Sequence, residues 1–104
     1  KLIRKAIKFD PENPAIIDSL GWVLHKLGDH EEALAELERA YALFDDPEVA
    51  AHIVEVLVAL DREDEALAFL EKAEAKTPES KLLSDVRARV FPELEAEPEA
   101  ALER

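Results

Sequence analysis

Three histidines (His25, His30 and His52) and acidic pairs such as Glu31–Glu32 are the residues in this 104-residue chain whose types could do chemistry. Two imidazoles four residues apart on one helix face would suit a metal ion. No pair of these histidines has that spacing, so surface or groove positions are their default. Glu31 and Glu32 fall on outward helix positions or a cap, where carboxylates are solvated rather than poised for acid–base work. Ser19 and Ser84 read as ordinary helix residues, and there is no nucleophile elbow or glycine-rich phosphate loop. The absence of cysteine excludes disulfides, Cys-ligated metals and thiol chemistry, and says nothing of the compartment. These features predict no enzyme, no cofactor and no metal. What remains to act is a surface, and the elements that shape it.

The composition, 48% hydrophobic with only 6% aromatic residues, draws its apolar surface from alanine and leucine and leans helical. A formal net charge of −12 repels phosphate backbones, which argues against a nucleic-acid partner. Lys1, Arg4, Lys5 and Lys8 cluster at the start and read as a solvated helix face. No apolar run approaches membrane-spanning length, so no membrane insertion is expected of this stretch. The chain starts inside an apparent helix without an initiator Met, which reads as a fragment of a larger protein.

Shifting the chain by 33 residues exposes a repeat. Eleven residues between 20 and 43, from Val23 and Leu24 to Ala40 and Ala42, meet identical partners between 53 and 76. Each unit reads as two helices. In the first, Ile16, Ile17, Leu20, Val23, Leu24 and Leu27 recur at helical spacing. Gly28 ends that helix, because glycine takes the left-handed C-cap conformation without a side-chain penalty. Asp29 is placed to cap the next helix, with Glu32 completing a capping box. That helix turns Ala33, Leu37, Ala40, Tyr41 and Phe44 inward and stops before Asp45-Asp46-Pro47, where Asp46 caps and Pro47 takes the first helical position. Gly21, in mid-helix, costs about 1 kcal/mol of helix propensity. Its expected role is to let the two helices approach closely opposite Ala33.

These residues resemble the tetratricopeptide repeat, whose pattern runs W-x2-L-G-x2-Y, then A-x3-F, a later A and a P. Ile17, Leu20, Gly21 and Leu24 stand at the first-helix positions, and Ala33, Leu37 and Ala40 at the second-helix positions. In the next unit these are Ala50, Ile53, Val54 and Leu57, then Ala66, Leu70, Ala73 and Pro78. Ala6 lies thirty-four residues before Ala40, so residues 1–13 look like the second helix of a truncated repeat. The resemblance implies an all-α array of antiparallel helix pairs, a short right-handed superhelix, over residues 1–91. It comprises repeats at 14–46 and 47–78 and a capping helix at 79–91, and an acidic tail follows at 92–104. Ankyrin repeats share the period but lack these helix lengths, and the acidic charge argues against RNA-reading pentatricopeptide repeats.

The departures carry expectations of their own. Val54 replaces the packing glycine and should push the second pair apart, while Asp61 replaces the turn glycine at a position aspartate tolerates. Arg62 should cap less well than Asp29. The unit is one residue short of the usual length, predicting a tight loop near Asp45. Thr77-Pro78 should start the cap, with Leu82, Leu83, Val86 and Val90 as its buried stripe and Lys81, Ser84, Asp85, Arg87 and Arg89 outside.

The family's concave face is built from first helices and commonly binds peptides. Carried onto this chain, that face holds Ala15, Asp18, Trp22, His25 and Lys26, then Ala51, Glu55, Val58 and Ala59. Trp22 is either a binding anchor or a residue that packs over its neighbours. Relatives that clamp a chaperone's C-terminal carboxylate use basic residues and asparagine at such places, whereas Asp18 and Glu55 would repel one. The implied function is a protein-binding scaffold or adaptor for a basic or mixed peptide, or another folded surface. The alternative is an oligomerisation module working through its ends or convex side, with Leu2, Ile3, Ala6 and Ile7 as the self-associating surface. The run D-S-L-G-W-V-L-H-K-L-G-D is also similar to C-terminal repeats of bacterial tetratricopeptide proteins, including periplasmic lipoprotein adaptors. The compartment is left open between periplasm and cytoplasm.

Overall fold

The computed structural model describes residues 13–92. Five helices follow one another: α1 (Pro14–Lys26), α2 (His30–Leu43), α3 (Pro47–Ala59), α4 (Glu63–Lys76) and α5 (Lys81–Val90). Helices α1 and α2 form one antiparallel pair and α3 and α4 the next, with α5 laid mainly on α3. The arrangement is an all-α repeat solenoid, as the 33-residue self-similarity predicts. Of the predicted segment 1–13 and the predicted tail 92–104, residues 1–12, with Leu2, Ile3, Ala6 and Ile7, and residues 93–104 lie outside the described residues.

Repeated local chemistry starts each pair. Asn13 Oδ1 accepts hydrogen bonds from the amides of Ala15 (3.0 Å) and Ile16 (3.3 Å), with Pro14 at the first helical position. One period later Asp46 Oδ1 accepts from Glu48 N (2.8 Å), followed by Pro47. The hinge within each pair also repeats. Gly28 (φ +92°) donates to His25 O and Asp29 donates to Leu24 O. Asp61 (φ +61°) donates to Val58 O and Arg62 to Leu57 O, the same two bonds. This pattern satisfies carbonyls that a helix end leaves unpaired.

The capping box at Asp29 does not form. Asp29 is the N-cap of α2, yet its side chain makes no capping bond, and Arg62 at the start of α4 makes none either. The cause is backbone geometry. Asn13, Asp46 and Ser80, whose side chains do cap, have extended ψ of 109° to 133°. Asp29 and Arg62 have ψ of 65° and 57°, because each also closes the preceding turn with its own amide. The expected contrast between a good Asp cap and a weak Arg cap therefore vanishes. Arg62 instead reaches forward to Glu65 at 2.6 and 3.0 Å.

Gly21 has the predicted role in sharper form. A Cβ added there would lie 2.6 Å from Leu37 Cγ, 2.7 Å from Leu37 Cδ2 and 3.3 Å from Ala33 O. Leu37 is fully buried and cannot step aside. Val54, at the equivalent place, is also fully buried, and the second pair is the less intimately packed of the two. The core joins the pairs through Ile17, Leu20, Leu37, Ile53, Val56 and Leu70, and extends to Leu83 and Val86 of α5.

Four apolar expectations are corrected. Phe44 is not inward: α2 stops at Leu43, and the extended backbone at Phe44 (φ −158°) leaves its side chain 58% exposed. Leu34 is buried in that helix instead. Val23 and Leu27 are exposed although they continue the helical stripe. The capping helix starts at Lys81, not at Thr77-Pro78, because those residues form a turn closed by Ser80 N donating to Thr77 O. Ser80 then caps through Leu83 N. Starting there, the helix buries Leu83 and Val86 and leaves Leu82 exposed.

Candidate functional site

Side chains three or four residues apart share a helix face, and Ala15, Asp18, Trp22, His25 and Lys26 follow that spacing along α1. The face of α1 meets the start of α3, and the contacts there are polar and aromatic. Asp18 Oδ1 lies 2.8 Å from His52 Nδ1, with both side chains mostly buried. The Trp22 ring stacks on the His52 ring at 4.1 Å between centroids and 23° between planes. His25 is tilted against Trp22 at 5.0 Å, and Lys26 Nζ sits 4.7 Å from the indole centroid. His25 Nδ1 and His30 Nδ1, joined across the α1–α2 turn, are 2.9 Å apart.

The last contact constrains protonation. Two Nδ1 atoms share one hydrogen bond only if one donates and the other accepts, so at least one ring must be neutral. Burial, then the neighbouring charges of His30 and Lys26, lower the pKa of His25 below its ordinary value, against a smaller opposite pull from Glu55. The site is thus a run of rings around one indole, in which imidazoles serve as packing surfaces.

Not all the predicted groove residues line an open face. Glu55 pairs with Arg89 of α5. Ala51 is buried, and Val58 is packed against the hydrophobic core. Ala15 lines a cavity of about 330 Å³ together with Asp18, Phe44, Glu48 and Val49. The two carboxylates expected to make the groove acidic, Asp18 and Glu55, are each matched by a nitrogen base.

His30, His52, Glu48 and Phe44 are absent from the predicted site. Helical spacing within one segment cannot find them, because they arrive from a neighbouring helix or loop. One signal is available in the sequence: Asp18–His52 and Glu55–Arg89 are both thirty-four residues apart. One repeat plus one residue is the offset at which first helices of adjacent units touch. A search for complementary polar residues at that offset finds both pairs.

Comparison with known proteins gives a consistent result. Two tetratricopeptide repeat family profiles match, over residues 24–90 and 2–35. A TPR repeat-containing protein of Pseudomonas aeruginosa is 44% identical over 55 residues, which is 53% of this chain and 9% of that protein. The crystal structure of a thermophilic TPR protein from Thermus thermophilus superposes with a TM-score of 0.74 at 32% identity, covering 84% of this chain and 43% of that one. The chain therefore spans less than half the length of each of these relatives.

Proposed function

This chain belongs to the tetratricopeptide repeat family, whose members generally act as protein-interaction scaffolds, and from that premise we propose that the α1–α3 face holds a peptide or protein partner. The observation that carries the proposal is Trp22, half-buried and set in a row of rings contributed by both helix pairs. A rigid aromatic held by its neighbours loses little entropy on binding, which is why tryptophan recurs among binding hot spots. The matching of Asp18 by His52 and of Glu55 by Arg89 supports a partner of mixed polarity over a purely basic one.

The family and fold are typical of non-enzymatic scaffolds. Among the described residues no helix is long and apolar enough to cross a membrane. The test is affinity capture with the full-length protein that carries this segment, comparing wild type with Trp22→Ala and with Lys26→Ala, the exposed lysine over the indole. Trp22→Ala should release the captured partner while the helical melting transition falls only modestly, since an aromatic pair is worth about 0.5–1.5 kcal/mol beyond its area. Capture that survives both substitutions would refute this face as the binding site.

A second reading, self-assembly, is favoured by the exposed apolar side chains of Val23 and Leu27 on α1. Mass measured against salt separates charge-driven from apolar association, because only the former dissociates as salt screens it.

A further inference from the structure

We propose that Asp18, Glu48 and His52 form a divalent transition-metal site that ties α1 to α3. Glu48 and His52 are four residues apart on α3 and so share one helical face, while Asp18 reaches across from α1. One ligand atom from each residue lies within 4.8 Å of the other two. Bonds of about 2.0–2.2 Å to a first-row ion hold such atoms roughly 3–4 Å apart. Binding must therefore draw the three ligand atoms in from their present separations of up to 4.8 Å.

The donor set selects the metal class. One imidazole with two carboxylates suits zinc, cobalt, nickel or manganese, whereas calcium and magnesium prefer oxygen ligands throughout. The Asp18–His52 contact already orients two ligands toward each other. The carboxylate of Glu48 has no hydrogen-bond or ion-pair partner among the described residues, although it lies beside that pair. Two of the three ligands, Asp18 and Glu48, also line the cavity of about 330 Å³ together with Asp46 and Phe44, which leaves room for water on their side of the ion. In the contact with Asp18 the Nδ1 of His52 is the donor; coordination through Nδ1 replaces that hydrogen bond and leaves the ring proton on Nε2.

Stacking of His52 on Trp22 provides the readout. Because Trp22 is the chain's single tryptophan, an ion at His52 acts on the whole indole emission. The full chain is titrated with zinc chloride by calorimetry, and with nickel chloride by tryptophan fluorescence, in excess magnesium chloride to occupy sites made of carboxylates alone. The expected result is one ion per chain, saturable quenching by nickel, and a melting temperature that rises with zinc because the ion binds only the folded state. His52→Ala and Asp18→Asn should each weaken zinc by at least about tenfold. Glu48→Gln, an exposed and conservative change that does not threaten the fold, should weaken it several-fold. His30→Ala should leave it unchanged.

Failure to saturate, or affinity retained in Glu48→Gln and His52→Ala alike, overturns the proposal. So does loss of binding in His30→Ala, which would place the ion on the His25–His30 pair. The metal alone is the probe, so the outcome is independent of whether the α1–α3 face holds a partner.

Discussion

The two helix pairs are built on one backbone plan with different side chains at its critical points. The first pair uses glycine twice, at the crossing (Gly21) and at the turn (Gly28). The second keeps the same turn bonds and the same left-handed residue, but with Asp61 there and Val54 at the crossing. The hydrogen-bonded turn is therefore the shared geometry, and glycine is only its least strained occupant. Burial differs as well: Val23 is 42% exposed, whereas Val56, one period on, is fully buried. Identical residues at identical repeat positions thus have different surroundings, since each takes its environment from the adjacent helices.

The most damaging way to break this comparison is to exchange the crossing residues. Gly21→Val should destabilise by about 3 kcal/mol, the upper range for forcing volume into a packed core. Fully buried Leu37 stands where the new atoms must go. The reverse change, Val54→Gly, should also destabilise, by about 2–3 kcal/mol from lost burial and helix propensity. Chemical denaturation of both variants checks this. A stabilised Val54→Gly would mean that the second pair closes up like the first.

The turn exchange should be smaller and of opposite sign in the two units. Gly28→Ala should cost about 1–2 kcal/mol from the left-handed backbone alone, because a Cβ there meets nothing within 4 Å. Asp61→Gly should stabilise, by a few tenths to about 1 kcal/mol. Thermal melts of the two variants should move apart in opposite directions.

Caps sharpen the contrast between the start of a pair and its internal turn. Asp46→Ala should cost about 1 kcal/mol, the usual value of an N-cap side chain. Asp29→Ala should change stability by less than about 0.5 kcal/mol, since its carboxylate caps nothing.

The smallest effect is on pH, and it belongs to the first pair. His25 has its pKa lowered in the folded chain, so the folded state binds a proton less readily than the unfolded one. Its stability is complete above the ordinary histidine range and declines as pH falls below 6.5 toward the lowered value. On mild acidification His25 should therefore pull the melting temperature down, and the difference between wild type and His25→Asn across that range isolates its contribution.

Much of the fold is legible in the sequence because its signals are local. The turn at Gly28, the tolerance of Asp61, the cap at Asp46 and the crossing at Gly21 all follow from backbone preferences and a repeat visible by self-comparison. Phe44, Val23 and Leu82 depart from expectation for the opposite reason. Helical periodicity places a residue on a face, but not whether a neighbour covers that face or the helix has already ended. Asp29 differs for a local reason: the residue type suits a cap, while the turn it also closes holds its backbone elsewhere.

The sequence alone determined the helix pairs, their period, their hinges and the family resemblance, because each depends on residues close in the chain. Only the tertiary structure decided that Trp22 would lie on His52, that Asp18 and Glu55 would each find a nitrogen partner, and that Glu48 would stand beside the first of these pairs. Those contacts join one helix pair to the next element in the stack. They are set by how far each unit is rotated and shifted against its neighbour, which depends on the packing of whole faces.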